Sequence, residues 1–94
     1  MDLDSFDWDK ANQDKNYVKH RVTNTECEEV FIDSHKVILV DELHSQKEPR
    51  FILLGKTKKS RLLFIVFTVR GKKIRVISAR DTDKKERRLY DQDD

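Results

Sequence analysis

Eight consecutive residues, Leu62-Leu63-Phe64-Ile65-Val66-Phe67-Thr68-Val69, contain a single polar side chain. A strand with one wet face alternates apolar and polar residues; a strand covered on both faces reads as a continuous apolar run. The run is far shorter than the ~20 apolar residues that a membrane helix needs. It therefore predicts a central strand from Arg61 to Arg70, around which the rest of the chain must be arranged. Gly71-Lys72 supplies a hairpin turn into a partner strand, Lys73 to Arg80. Upstream, Arg50 to Gly55 reads as another strand, joined to the centre by the basic turn Lys56 to Ser60. Val37-Ile38-Leu39-Val40 reads as a fourth, set off by a polar loop, Asp41 to Pro49. Pro49 sits where a strand can begin but not continue. Short connections favour an antiparallel meander of about four strands.

The helices announce themselves at their starts. Thr23 with Glu26 three residues on is a capping box, and Cys27, Val30 and Phe31 follow on one helical face. Cys27 there reads as a small buried apolar residue. Asp83 with Glu86 repeats the capping pattern before a short, very basic helix, Lys84 to Tyr90, whose main apolar contact is expected to be Leu89. An earlier helix from about Lys10 to His20, capped by Asp7 or Asp9, carries only a thin stripe: Ala11, Tyr17 and Val18, with Val22 beyond. Before it, Leu3 to Trp8 reads as a short extended piece. The expected fold is α+β: an antiparallel sheet of about four strands, two N-terminal helices and a short C-terminal helix, with the helices on one side. At 94 residues and 11.3 kDa the chain is one domain spanning 1–94.

Composition narrows the function classes. A lone cysteine excludes an intrachain disulfide framework. The acidic N-terminus lacks the signature of a signal peptide, so a cytoplasmic protein with no membrane partner is expected. The net charge of +2 hides an asymmetry. Residues 1–49 hold twelve acidic against six basic residues, whereas residues 50–90 hold fourteen basic against three acidic. Such a basic half suggests an anionic partner, with nucleic acid first. The alternative is a set of lysines and arginines that simply solvate a sheet.

Little conventional catalytic apparatus is present. His20, His35 and His44 lack metal-ligand spacing, so neither a metal nor another cofactor is expected. Gly55 and Gly71, the only glycines, make no phosphate loop and read as turn residues. What remains is a set of cations: Arg50, Arg70, Arg75 and Arg80 on strands, and Lys84, Lys85, Arg87 and Arg88 on the last helix. Strict alternation along Lys73 to Arg80 puts Arg75 with Ile77 on one face and Arg80 with Ser78 on the other. An arginine half-committed to such a surface pairs with a carboxylate or a phosphate, since its planar fork fits either. RNA can be cut without a metal by a general base, a general acid and cations around the transferring phosphorus. His20, Glu86 and Tyr90 are the acid–base candidates. Residues in such places more often serve structure, His20 as a helix C-cap and Tyr90 as a packing aromatic.

These residues resemble the BrnT family. Phe6-Asp7-Trp8-Asp9, Asn16, Lys19-His20 and Val22 look like its opening. Arg50-Phe51-Ile52-Leu53-Leu54-Gly55 is similar to its middle. Arg75-Val76-Ile77-Ser78-Ala79-Arg80, followed by Lys85-Glu86-Arg87 and Tyr90, resembles its signature. Asn12 departs from a lysine often found there, and Arg21 from a glycine that commonly follows the Lys-His pair. The resemblance implies a RelE-like fold and a ribonuclease toxin that arrests translation. It also implies a BrnA-type ribbon–helix–helix antitoxin, with operator DNA bound only through that partner. Homodimerisation within the complex stays open. The resemblance carries Lys19, His20, Arg50, Arg75, Ser78, Arg80, Glu86 and Tyr90 over as signature positions; together with the basic C-terminal half it makes His20, Arg75, Arg80, Glu86 and Tyr90 the expected catalytic set. Lys19, Arg50, Arg70, Lys84 and Arg87 are the expected RNA-binding set. A non-catalytic module that binds nucleic acid or docks the antitoxin is the alternative. A DNA-binding regulator acting alone would need a docking motif that the sequence does not display.

Overall fold

The computed structural model describes residues 5–8, 15–42 and 47–92. Five strands, β1 (Ser5–Phe6), β2 (Val37–Val40), β3 (Phe51–Lys56), β4 (Leu62–Arg70) and β5 (Lys73–Asp81), form one sheet in the order β1-β5-β4-β3-β2. The central run is indeed the middle strand. β2, β3, β4 and β5 pair antiparallel, whereas β1 runs parallel to β5 through Ser5 and Phe6. The sheet is thus mixed and five-stranded rather than a four-stranded meander. The added strand is the N-terminal extended piece, and two residues are too few for alternation to reveal a pairing. Gly71 takes φ +62° at the first position of the two-residue turn between β4 and β5, a backbone that suits glycine.

Three helices, α1 (Lys15–His20), α2 (Asn24–Phe31) and α3 (Lys84–Gln92), complete the α+β fold. They do not all lie on one side. α2 covers one face: Val22, Cys27 and Val30 pack on Leu53, Leu63, Ile65, Phe67, Ile74, Val76 and Ala79. Phe6, Phe31, Phe67 and Phe51 run through this core, with successive ring centroids 5.0–5.3 Å apart. α2 begins where the sequence indicates. Thr23 Oγ1 accepts from the Glu26 N–H at 3.0 Å, and Glu26 Oε1 accepts from the Thr23 N–H at 3.0 Å. α3 covers only one end of the opposite face, where Tyr90 meets Leu54 and Leu62. Its buried anchor is Tyr90; Leu89, the expected contact, is 47% exposed. The remainder of the predicted first helix and its cap Asp9 lie outside the described residues. Asp7 instead continues the β1 pairing, its N–H donating to the Ile74 carbonyl at 2.7 Å.

A β-bulge in β5 corrects the alternation. Phe67 pairs with Val76 and Val66 with Ser78, so Ile77 is an extra residue. Before the bulge Ile74 and Val76 face α2; after it Ala79 does. Arg75, Ser78 and Arg80, opposite Thr68, Val66 and Phe64, consequently share the other face. α1 runs along the outer edge of β5 beyond the end of β1. Asn16 Oδ1 accepts from the Ala79 N–H at 3.0 Å, and Lys15 Nζ donates to the Ile77 carbonyl. Those are edge groups that no strand meets among the described residues.

Candidate nucleic-acid interface

The sheet face left open by α3 carries the cations that the sequence singled out. Arg50 precedes β3 in the alternation of Ile52 and Leu54, so it belongs to the same face as Arg75 and Arg80. An open cleft of about 320 Å³ lies on this face beside Arg50. Ile52, Phe64, Val66 and Ile77 form its floor, and Ser78, Arg50 and Asp41 are its polar lining. The bulge supplies both Ile77 and Ser78 to it.

Arg80 is held most firmly. Its guanidinium lies 4.1 Å from the Phe64 ring centroid, within cation–π range. Nη1 and Nη2 donate to Glu86 Oε1 and Oε2, each at 2.8 Å. This bidentate bond holds the Arg80 guanidinium in its charged form even more firmly than usual. Glu86 is fixed in turn by the start of α3. Its N–H donates to Asp83 Oδ1 and its Oε1 accepts from the Asp83 N–H, both at 2.9 Å, the capping box that the sequence indicated. Arg75, its side chain 17% exposed, lies 3.5 Å from Asp7 Oδ2. Arg70, at the end of β4, pairs with Glu48 at 3.2 Å and holds that carboxyl below its usual range.

Other expected site residues lie elsewhere. Tyr90 is 8% exposed, and its hydroxyl donates to Asp33 Oδ2 at 2.7 Å. That bond fastens α3 to the loop after α2. His20 ends α1 at the outer edge of β5, and its carbonyl accepts from Arg61. Lys19 is exposed on α1, and Lys84 and Arg87 are exposed on α3. The structure therefore puts Arg50, Arg75 and Arg80 on one sheet face, with Glu86 bound to Arg80, and separates His20 and the Tyr90 hydroxyl from them.

Three structural residues escaped the sequence reading. Arg61 donates to Asp81 Oδ1 and Oδ2 at 2.8 and 3.1 Å and to Glu26 Oε2 at 3.1 Å. It also donates to the His20 and Arg21 carbonyls, so Arg61 meets the end of α1. Asp33 accepts from the Lys56 and His35 N–H groups at 2.8 and 3.0 Å besides Tyr90. Asn16 is 2% exposed and closes the bulge. Arg61 and Asp33 differ from their neighbours by nothing that spacing reveals. Asn16 appears only as a letter of the family resemblance. Cys27 is buried as expected, and burial with the nearby Glu26 and Glu28 pushes its thiol up to about 12, which makes it inert.

The molecule is a small α+β domain with one sheet face packed on a helix, and with Arg50, Arg75 and Arg80 on the other face, where an open cleft lies beside Arg50. Residues 8–86 match the family described as "Ribonuclease toxin, BrnT, of type II toxin-antitoxin system", and the chain belongs to that family. Membership makes it a ribonuclease toxin that functions with an antitoxin. A search of curated protein sequences gives no match. Among the described residues no helix is long and apolar enough to cross a membrane, and no group of three potential ligands could hold a metal ion.

Proposed function

We propose that the chain cleaves RNA without a metal, on the open sheet face, and thereby stops translation. The observation that supports this most is the bulge, which brings Arg75 and Arg80 to the same face as Arg50. The ribose 2′-oxygen attacks the adjacent phosphorus and the P–O5′ bond breaks, leaving a 2′,3′-cyclic phosphate and a 5′-hydroxyl. Arg75 and Arg80 stabilise the charge that gathers on the phosphoryl oxygens, and Arg50 positions the chain. Glu86, beside Arg80, takes the 2′-proton in preference to His20, which lies beyond the strand edge, and solvent water protonates the departing 5′-oxygen. Tyr90 then serves packing rather than proton transfer. A BrnA-type ribbon–helix–helix antitoxin neutralises the toxin by covering the arginine face with an acidic segment, and operator DNA is reached only through it.

Purified protein incubated with total RNA in EDTA is expected to yield fragments with 2′,3′-cyclic ends. Arg75→Ala combined with Arg80→Ala is expected to abolish them while leaving circular dichroism unchanged. Intact RNA at stoichiometric protein would refute the metal-free reaction.

A second reading, a non-catalytic docking surface, draws support from the engagement of Glu86 by Arg80 and of Tyr90 by Asp33. It predicts salt-sensitive RNA or antitoxin binding with no cyclic-phosphate product.

A further inference from the structure

We propose that two copies of this chain pair through β2, forming a ten-stranded sheet about a two-fold axis normal to the sheet. The edge of β2 is bare among the described residues, since β3 is its only neighbour. Natural edges are blunted by charge, proline or a bulge. This one reads Val37-Ile38-Leu39-Val40, and Ile38, Leu39 and Val40 are 39%, 39% and 59% exposed.

The hydrogen-bond phase fixes which backbone groups are on offer. The Asp41 N–H donates to the Arg50 carbonyl at 2.9 Å, so residues 41, 39 and 37 turn their backbone groups towards β3. Ile38 and Val40 therefore turn N–H and C=O outwards. An axis normal to the sheet keeps each face continuous, so residues of the same parity must lie opposite one another. With Leu39 on the axis, Ile38 lies opposite Val40 of the second copy, and each exchanges both backbone bonds with it. The same pairing brings Lys36, just before β2, near Glu42 of the second copy, just after it, at both ends of the new ladder. The edge is thus self-complementary in charge as well as apolar, which selects a second copy over an unrelated strand. The axis also leaves both arginine faces on one side of the sheet. On the reading under Proposed function, one two-fold antitoxin could then cover both.

The test is sedimentation equilibrium of the full chain across concentrations up to about 100 µM, because a four-residue strand addition is a small interface. The wild type is expected to show a concentration-dependent dimer. Ile38→Lys and Val40→Pro, the latter removing an outward N–H that β3 does not use, are expected to be monomeric with unchanged circular dichroism. Lys36→Glu is expected to weaken the dimer at least tenfold, and adding Glu42→Lys to restore it. A monomeric wild type at the top concentration overturns the proposal. So does a dimer indifferent to both Ile38→Lys and the charge exchange. If the wild type is monomeric and Ile38→Lys abolishes antitoxin binding, the edge belongs to the antitoxin instead. RNA cleavage is read in parallel, and its failure would bear only on the proposed function.

Discussion

Single residues carry costs that the elements around them do not reveal. Arg21 closes α1 with φ +57°, its N–H donating to the Tyr17 carbonyl at 2.9 Å. A left-handed residue after a helix suits glycine, and a side chain there costs about 1 kcal/mol. Part of that cost is returned by the Arg21 guanidinium, which lies 5.3 Å from the Tyr17 ring centroid. Arg21→Gly is therefore expected to stabilise the protein by no more than about 0.5 kcal/mol in urea unfolding. Asp33 is the opposite case. Burial alone would raise its carboxyl, but the Lys56 and His35 N–H groups and the Tyr90 hydroxyl outweigh it and hold it below the ordinary 3.8. Asp33→Ala strands those donors and is expected to cost about 2–3 kcal/mol. The bonds to Arg61 depress Asp81 in the same way, and Glu26 is depressed by Thr23 and Arg61 despite its burial. A carboxyl depressed in the folded state stabilises fully above its unfolded value, and that contribution drains away as pH falls through the folded one. Thermal midpoints are therefore expected to hold from neutrality to about pH 5 and to fall below about pH 4, less steeply in Asp33→Asn.

Elements pack here by removing atoms as much as by adding them. Gly55 lies in β3 directly under α2. A Cβ there would stand 2.8 Å from Val30 Cγ1, 3.2 Å from the Val30 carbonyl oxygen and 3.3 Å from Asp33 Oδ2. Gly55→Ala is expected to cost about 1–3 kcal/mol by pushing α2 off the sheet. Val30→Ala removes the closest of those atoms, so the double variant should be less destabilised than the sum of the singles, a coupling readable in a double-mutant cycle. The element order from α2 onwards was legible because capping boxes and apolar runs are local signals. The bulge was not. Nothing in Arg75 to Arg80 marks Ile77 as supernumerary; it becomes so when Phe67 and Val66 fix the register and when Asn16, more than sixty residues away, satisfies Ala79. Asn16→Ala leaves that buried N–H without its acceptor. Hydrogen exchange at Ala79 is expected to speed up, with about 1–3 kcal/mol of stability lost.

On the scale of the whole molecule, the charge that the sequence separates by halves is largely paired again by the fold. Residues 1–49 carry twelve acidic against six basic residues. Some of that acid sits on α2, behind the sheet, but Asp7 and Glu48 reach the cations themselves, at Arg75 and Arg70. The residue types of the site were therefore legible, whereas its geometry waited on the bulge and its neutralisation on contacts distant in sequence. Those carboxylates set what RNA binding can yield. A phosphate arriving at Arg75 or Arg80 must take the place of Asp7 or share the fork held by Glu86, so the face is already partly neutral before RNA arrives. Each arginine that does engage a phosphate of a single strand contributes about 0.7 to the slope of log affinity against log salt. With Arg50, Arg75 and Arg80 engaged the slope is expected near −2, and the Arg75→Ala, Arg80→Ala double variant should lower its magnitude by about 1.4. Glu86→Gln separates binding from positioning. It frees the charge of Arg80 for phosphate, so affinity should rise, yet it loosens the fork and removes the proposed base, so the cleavage rate should fall. Fluorescence-anisotropy titrations across salt, run beside single-turnover cleavage, read both. A parallel rise in affinity and rate would show that Glu86 only restrains Arg80.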